Sequence, residues 1–302
     1  MRTAWPDYEL IDFGEGRKLE RFGAWLLDRP CPAAVGMAKG SPCMWRDAVA
    51  RFEGDRAADG NWSPLVERWA KRTMTLDVFL GEGRQFCLEL EPLPSGQVGV
   101  FPEQAANWRW ISDRLAAQRA SNGGATPGQS AGPQVLNLFA YTGGSTLAAL
   151  AAGAAVVHVD AAKGVVNRAR QNAAASGLGD EPARWIVEDA LKFCRREVNR
   201  GKRYDAVILD PPTYGHGPKG EEWNIKRDLL PLLELCGELT ERRPKFVLLT
   251  CHSPGIGPAE LSAYLSEGIF GACGQPPRTG ELFLETAEGR RLPSGVFARW
   301  PD

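Results

Sequence analysis

The chain has 302 residues, is 43% hydrophobic, and balances 36 Lys and Arg against 37 Asp and Glu for a net charge of -1. That is enough apolar material for one large domain and a smaller one, and no overall basic excess marks a general binder of nucleic acid or anionic membrane. Seven cysteines without a Cys-x-x-Cys pair argue against a disulfide framework or zinc site, and three histidines argue against a multi-His centre, so no metal is expected. The chain shows no apolar leader and no run of membrane-spanning length, so the expectation is a reducing cytoplasm and no membrane partner.

Residues 1–100 are dense in Trp, Gly and Pro. Short runs such as "AWLLDRP" (24–30), "TLDVFL" (75–80) and "QFCLELEP" (85–92) read as brief strands between turn signals like "EGDRAADGN" and "GEG". A small, mainly β domain is expected there. "PEQAANWRWISDRLAAQ" (102–118) reads as a helix, with Pro102 in its first turn and Trp108, Ile111 and Leu115 on one face. "ASNGGATPGQSAGP" (120–133) has small residues and no periodicity, and reads as a linker or surface loop.

From residue 134 strands and helices alternate. "QVLNLFAY", "AVVHVD", "ARWIVED", "YDAVILD" and "KFVLLTC" read as strands. "STLAALAAG", "GVVNRARQNAAASG", "ALKFCRREVNRG" and "IKRDLLPLLELCGELT" read as helices, the last with its regular part starting at Pro231. Strands joined by crossover helices imply an α/β fold, a parallel sheet with helices on both faces. "ELFLET" and "SGVFARW" could add an antiparallel pair at the sheet edge. The division expected is 1–100 for the β-rich domain and 101–302 for the α/β domain.

Open α/β sheets bind ligands at the carboxyl ends of their strands. The first such loop, "NLFAYTGG" (137–144), has no Gly-x-Gly-x-x-Gly, which disfavours a nicotinamide-dependent oxidoreductase. Gly143 lets the backbone approach a ligand, or simply makes a tight turn. Asp160 can accept both ribose hydroxyls of an adenosine-bearing ligand. Asp189 can accept from an adenine amine while the Ala190 N–H donates to a ring nitrogen; Asp189 suits a helix N-cap equally well. In "ILDPPTYGHG" (208–217), Asp210 ends a buried strand, two prolines fix the loop, and Tyr214 offers a flat face for a planar substrate. A carboxylate there favours positive charge on a methyl donor or on a nucleobase nitrogen. His252 could act as a base or a structural hydrogen-bonder, and His216 could touch substrate.

The ordered set "GVFPEQ", "LNLFAYTGGSTLAALAAGA", "VDAAKGVVNRARQNAAASGL", "EDALKF", "RGKRYDAVILDPPTYGHG" and "LLTCHSPG" resembles class I S-adenosylmethionine-dependent methyltransferases. It covers residues 134–255, and more loosely 99–300. The similarity is to the bacterial group containing the 23S ribosomal RNA large-subunit methyltransferases that act on cytosine C5 and guanine N7. The resemblance implies a Rossmann-like sheet, S-adenosylmethionine as cofactor and an RNA base as substrate. It implies that "GVFPEQ", with Gln104, closes over the cofactor and that Asn137, Phe139, Tyr141 and Gly143 border its methionine part. It assigns Asp160 to the ribose, Asp189 and Ala190 to the adenine, and Asp210 and Pro211 to the reaction centre, beside Tyr214.

Two departures shape the expectation. Relatives that methylate cytosine C5 use a thiolate that adds to C6. Aligned without gaps, "LLTCHSPG" puts Ser253 in that cysteine's place and Cys251 two residues earlier, a displacement of about 6.5 Å along a strand. Cys251 is therefore expected as a core residue rather than a nucleophile. The first hundred residues do not resemble the RNA-binding domain many of these relatives carry. A protein or small-molecule acceptor, or a cofactor-binding relative without catalysis, stays open beside RNA.

Overall fold

The computed structural model describes residues 5–54, 60–71, 73–121, 132–271 and 276–302. Most of the expected linker, residues 122–131, lies outside the described residues, as does Cys273. The chain divides into two compact units. One comprises Met1–Phe79, Gln85–Ala105 and Phe283–Ser294; the other comprises Leu80–Arg84, Ala106–Leu282 and Gly295–Asp302.

The first unit is built on a five-stranded sheet in chain order: β1 (Tyr8–Gly14), β2 (Arg17–Phe22), β3 (Trp25–Pro30), β4 (Ala50–Glu53) and β5 (Asn61–Ser63). A short helix α1 (Val66–Trp69) and a hairpin of β6 (Met74–Gly81) and β7 (Arg84–Leu90) follow, the tip Leu80–Arg84 being counted with the second unit. The same tripeptide, Gly-Glu-Gly, turns β1 into β2 and β6 into β7. Glu15 and Gly16, and again Glu82 and Gly83, take positive φ (55° and 72°, 51° and 74°). Two consecutive positive-φ residues are the type I′ pattern that matches strand twist.

Inside this unit the buried Glu20 carboxylate accepts from Arg29 and from the Tyr8 hydroxyl (3.0 Å). Arg29 and Lys18 hold its carboxyl below the usual range against the upward pull of burial. Residues 283–294, which join the two late runs expected at the sheet edge, also belong here. Leu284 and Leu292 pack with Leu10, Phe13, Cys31 and Ala34. Arg290 donates to Asp12 (2.5 Å) and to the carbonyls of Phe13 (3.0 Å) and Ala38 (2.7 Å).

The second unit starts with α2 (Ala105–Ser121) and continues as β8 (Gln134–Leu138), α3 (Gly144–Ala151), β9 (Ala155–Asp160), α4 (Lys163–Ala175), β10 (Ala183–Val187), α5 (Ala190–Asn199) and β11 (Ala206–Leu209). A small hairpin, β12 (Tyr214–His216) and β13 (Glu222–Asn224), precedes α6 (Ile225–Leu239), β14 (Phe246–Cys251), α7 (Pro258–Leu265), β15 (Arg278–Glu285) and β16 (Arg291–Trp300). The sheet order is β10-β9-β8-β11-β14-β16-β15, parallel from β10 to β14, with β16 antiparallel to β14.

The inner strands are buried along nearly their whole length, which is why they read as unbroken apolar runs. Leu136, Val207, Leu209, Val247 and Leu249 pack with Phe193 of α5, Leu229 and Leu233 of α6, and Leu261 of α7. Helix α6 begins six residues before Pro231. The Asn224 side chain caps Lys226 N (3.0 Å) and Asp228 accepts from Asn224 N (2.8 Å), so the first turn is fixed from outside and Pro231 is carried within the helix. Strand order reverses between β8 and β11, and that crevice holds the residues discussed next.

Candidate active site at the strand ends

The loop from β8 to α3 is shaped by unusual backbone. Phe139, Tyr141 and Gly143 all have positive φ (55°, 49° and 97°). For Phe and Tyr that conformation is costly and persists only where neighbours enforce it. Here they do. Ala140 N donates to Val159 O (3.1 Å), Gly143 N to Ala140 O (3.1 Å), and Asn172 Nδ2 to Thr142 O (2.9 Å). A Cβ on Gly143 would come within 3.1 Å of the Ala169 Cβ, and one on Gly144 would lie 2.5 Å from the Trp108 ring, so both positions need glycine. Trp108 is a core residue packed on the start of α3.

Asp160 ends β9 and closes this loop. Its Oδ2 accepts from Tyr141 N (2.9 Å) and its Oδ1 from Ala162 N (3.0 Å). Burial pushes its carboxyl up, and the backbone donors at Ala162, Tyr141 and Ala161 pull it down. Each oxygen of a carboxylate has a second lone pair, so the group can still accept from a ligand. Asn137 is turned inward. It donates Nδ2–H to Thr146 Oγ1 (2.9 Å), which lies 2.9 Å from His158 Nδ1. His158 is fully buried, and burial pushes it down to about 3, so it is neutral.

At the end of β10, Asp189 caps α5 by accepting from Lys192 N (2.9 Å), and Ala190 is the first, buried residue of that helix. Gln104 belongs to the first unit, in the short 3-10 turn Pro102–Gln104.

After β11, Asp210 is followed by the buried Pro211 and the exposed Pro212. Trp223 braces this loop and the previous one, donating Nε1–H to Pro212 O (2.7 Å) while its ring meets Phe139 (centroids 4.8 Å apart). Tyr214 stands on β12 with 69% of its surface exposed. The end of β14 approaches from the other side. Thr250 Oγ1 donates to Asp210 Oδ1 (2.5 Å), His252 Nε2 lies 3.4 Å from the same oxygen, and the hydroxyls of Thr213 and Ser253 are 2.7 Å apart. Thr213 and Thr250 carry no signal in the sequence beyond a hydroxyl near the loop after β11 and the end of β14. Cys251 is buried, its Sγ accepts from Ser253 N (3.4 Å), and burial together with the Asp210 charge pushes its thiol up.

The crevice thus has a side of backbone donors and Asp160, suited to a polar adenosine-like ligand, and a side of Asp210, His252, hydroxyls and an exposed aromatic ring. Among the described residues, no three His, Cys, Asp or Glu gather as a metal-ligand set, and no helix is long and apolar enough to cross a membrane.

A family model described as S-adenosylmethionine-dependent methyltransferase matches residues 125–269. The chain is 37% identical over 207 residues to Ribosomal RNA large subunit methyltransferase I of Aeromonas salmonicida, covering 67% of this chain and 48% of that protein. It is 34% identical over 117 residues to Ribosomal RNA large subunit methyltransferase K/L of Shewanella frigidimarina, covering 36% of this chain and 16% of that one. The chain therefore spans about half the length, or less, of the curated relatives it matches. Among solved structures, the SAM Dependent Methyltransferase from Agrobacterium tumefaciens superposes with a TM-score of 0.81 at 34% identity, over 99% of this chain and 91% of that one. A putative SAM-dependent methyltransferase from Streptococcus mutans shares the fold, with a TM-score of 0.69 at 16% identity, over 99% of this chain and 76% of that one.

Proposed function

The chain belongs to the S-adenosylmethionine-dependent methyltransferases, and we propose that it methylates a base in ribosomal RNA. The observation that carries the cofactor side is the clamped Asp160 carboxylate beside the positive-φ loop at the sheet's switch point. In this reading Asp160 accepts the ribose hydroxyls, Asp189 and the Ala190 N–H take the adenine, and Phe139, Tyr141 and Gly143 line the methionine part with Asn137 supporting them from below. Bound S-adenosylmethionine supplies a methyl group on a positively charged sulfur. Asp210 and Pro211 shape the reaction centre, where the carboxylate offsets positive charge, and Tyr214 stacks on the target base.

The RNA assignment rests on the named relatives and on a local charge pattern. Between Lys192 and Arg203 the chain has six basic residues and one acid, Glu197, which is fully buried. Lys192, Arg195, Arg200, Lys202 and Arg203 are exposed. The pairs of Lys192 with Glu221 and of Arg203 with Glu241 lie at the surface, where phosphates could replace the carboxylates at little cost. The division into a β-rich part, 1–100, and a methyltransferase part, 101–302, belongs to the same reading, with action on cytoplasmic ribosomal RNA.

The test is transfer of labelled methyl from S-adenosylmethionine to total RNA and protein from cells lacking the gene. The expected outcome is label in large-subunit ribosomal RNA, with binding that weakens steeply as salt rises. Label confined to protein or small molecules would remove the RNA assignment.

A further inference from the structure

We propose that His252, oriented by Asp210, is the proton acceptor for the methyl transfer, and that the acceptor is accordingly an N–H of the target base, on an exocyclic amine or a ring nitrogen. The proposal rests on the methyltransferase reading above and narrows it to one class of acceptor atom.

Three features of the second unit converge on it. First, the imidazole is placed against the carboxylate. His252 Nε2 lies 3.4 Å from Asp210 Oδ1, and that oxygen is itself fixed by the Thr250 hydroxyl at 2.5 Å. A carboxylate so placed holds an imidazole in one orientation and stabilises the imidazolium that forms when it takes a proton. The pair is also accessible, with 38% of the His252 side chain and 31% of the Asp210 side chain exposed.

Second, a glycine makes the slot for the ring. A Cβ at Gly295 would lie 2.7 Å from His252 Nδ1, 2.9 Å from its Cε1 and 2.9 Å from the Cys251 carbonyl oxygen. Gly295 lies within β16, next to Val296, which pairs with Cys251, and takes a φ of 121° that other residues rarely adopt. The ring therefore has a defined seat between Asp210 and Gly295 rather than a free surface position.

Third, the alternative chemistry has no thiolate to use. Cys251 is 1% exposed, and its thiol is pushed up both by burial and by the Asp210 charge. Without a covalent adduct to activate carbon, the target atom must already be nucleophilic. A nitrogen that carries hydrogen meets this need, but its methylated form is cationic until a proton leaves. The balance is complete with the groups named. The nitrogen lone pair forms the N–CH3 bond, the methyl–sulfur bond breaks and S-adenosylhomocysteine leaves, and the N–H proton moves to His252 Nδ1, the ring nitrogen that does not face Asp210, and then to water.

The experiment compares the parent with His252→Ala and His252→Gln on the acceptor found by methyl labelling. S-adenosylhomocysteine binding is measured by calorimetry in parallel. The expected result is nucleoside affinity within about threefold of the parent and methyl transfer reduced by about 10²-fold or more, as for loss of a general base. Added imidazole should restore part of the rate in His252→Ala and none in the parent, which a purely structural histidine would not show. The methylated nucleoside should carry its methyl on a nitrogen that bore hydrogen. Full turnover in His252→Ala, a rate loss matched by loss of S-adenosylhomocysteine affinity, no imidazole rescue, or 5-methylcytosine as product would each overturn the proposal. Label found in protein with the same His252 dependence and rescue would keep His252 as the base and remove only the RNA acceptor. A parent that binds S-adenosylhomocysteine yet labels nothing would overturn both.

Discussion

The two loops that face each other across the crevice are made in opposite ways. The loop after β8 is a backbone device: Phe139, Tyr141 and Gly143 at positive φ, held by main-chain hydrogen bonds and by Asp160. The loop after β11 is a side-chain device: prolines fix the path so that Asp210, Thr213 and Tyr214 present their functional ends, and the end of β14 supplies Thr250, His252 and Ser253 opposite them. The difference teaches a division of labour. A ligand shared by a whole family can be held by backbone geometry, whereas the acceptor of the group transferred is met by side chains that can differ between members.

Substitutions should separate the two sides. The largest effect is expected at Asp210. Asp210→Ala removes the charge at the reaction centre and the partner of His252, and should lower turnover by on the order of 10²–10³-fold, about 2.7–4 kcal/mol of barrier, with cofactor affinity nearly unchanged. Steady-state turnover and calorimetry on one preparation check this; equal losses in both would erase the division. On the other side, Asp160→Ala should weaken S-adenosylmethionine binding by about 1.5–3 kcal/mol, the range for hydrogen bonds to a charged group. Calorimetry measures it directly, and unchanged affinity would move the ribose elsewhere.

A smaller effect concerns what lies beneath the backbone-built loop. His158 is held neutral, down to about 3 from 6.5, while the unfolded chain takes its proton near 6.5. The stability from the neutral form is complete above pH 6.5 and is lost as pH falls from there toward 3, by up to about 1.4 kcal/mol per pH unit. Urea unfolding between pH 7 and 5 should show this slope in the parent and a flatter one in His158→Phe. An identical slope in both would mean that His158 is not the group titrating. The smallest effect is at Cys251. Cys251→Ala should keep methyl transfer within about tenfold, roughly 1.4 kcal/mol of barrier. Loss of activity in a folded variant, with an adduct trapped on 5-fluorocytosine RNA by the parent, would make Cys251 the nucleophile.

The alternating strands and helices from 134 to 251 were legible because each inner strand is buried on both faces and ends abruptly at a polar residue. The closing pair β15 and β16 followed from two late apolar runs. Pro231 misled because the cap at Asn224 and Asp228, which starts α6, outweighs the proline signal. At the site, Asp160, Asp189 and Asp210 were visible as strand-end carboxylates, and the N-cap role of Asp189 was one of two uses foreseen. The inward turn of Asn137 was not legible, because it depends on Thr146 and His158 meeting it from two other elements. Nor were the positive φ values of Phe139 and Tyr141, since neither residue type advertises that conformation. The nearness of His252 to Asp210 needs β11 and β14 to be neighbours, a fact of sheet order that local pattern does not contain.

The return of residues 283–294 to the first unit bears on the order in which the protein can be completed during synthesis. Leu10, Phe13 and Asp12 leave the ribosome well before their partners Leu284, Leu292 and Arg290 are made. The first unit must therefore wait, with part of its core uncovered, while nearly the whole second unit is translated. Nascent chains arrested before residue 283 should leave the Leu10–Phe13 strand open to protease, and chains extended past residue 294 should close it. Protection of that strand already in the shorter chains would show that the first unit closes without its last segment.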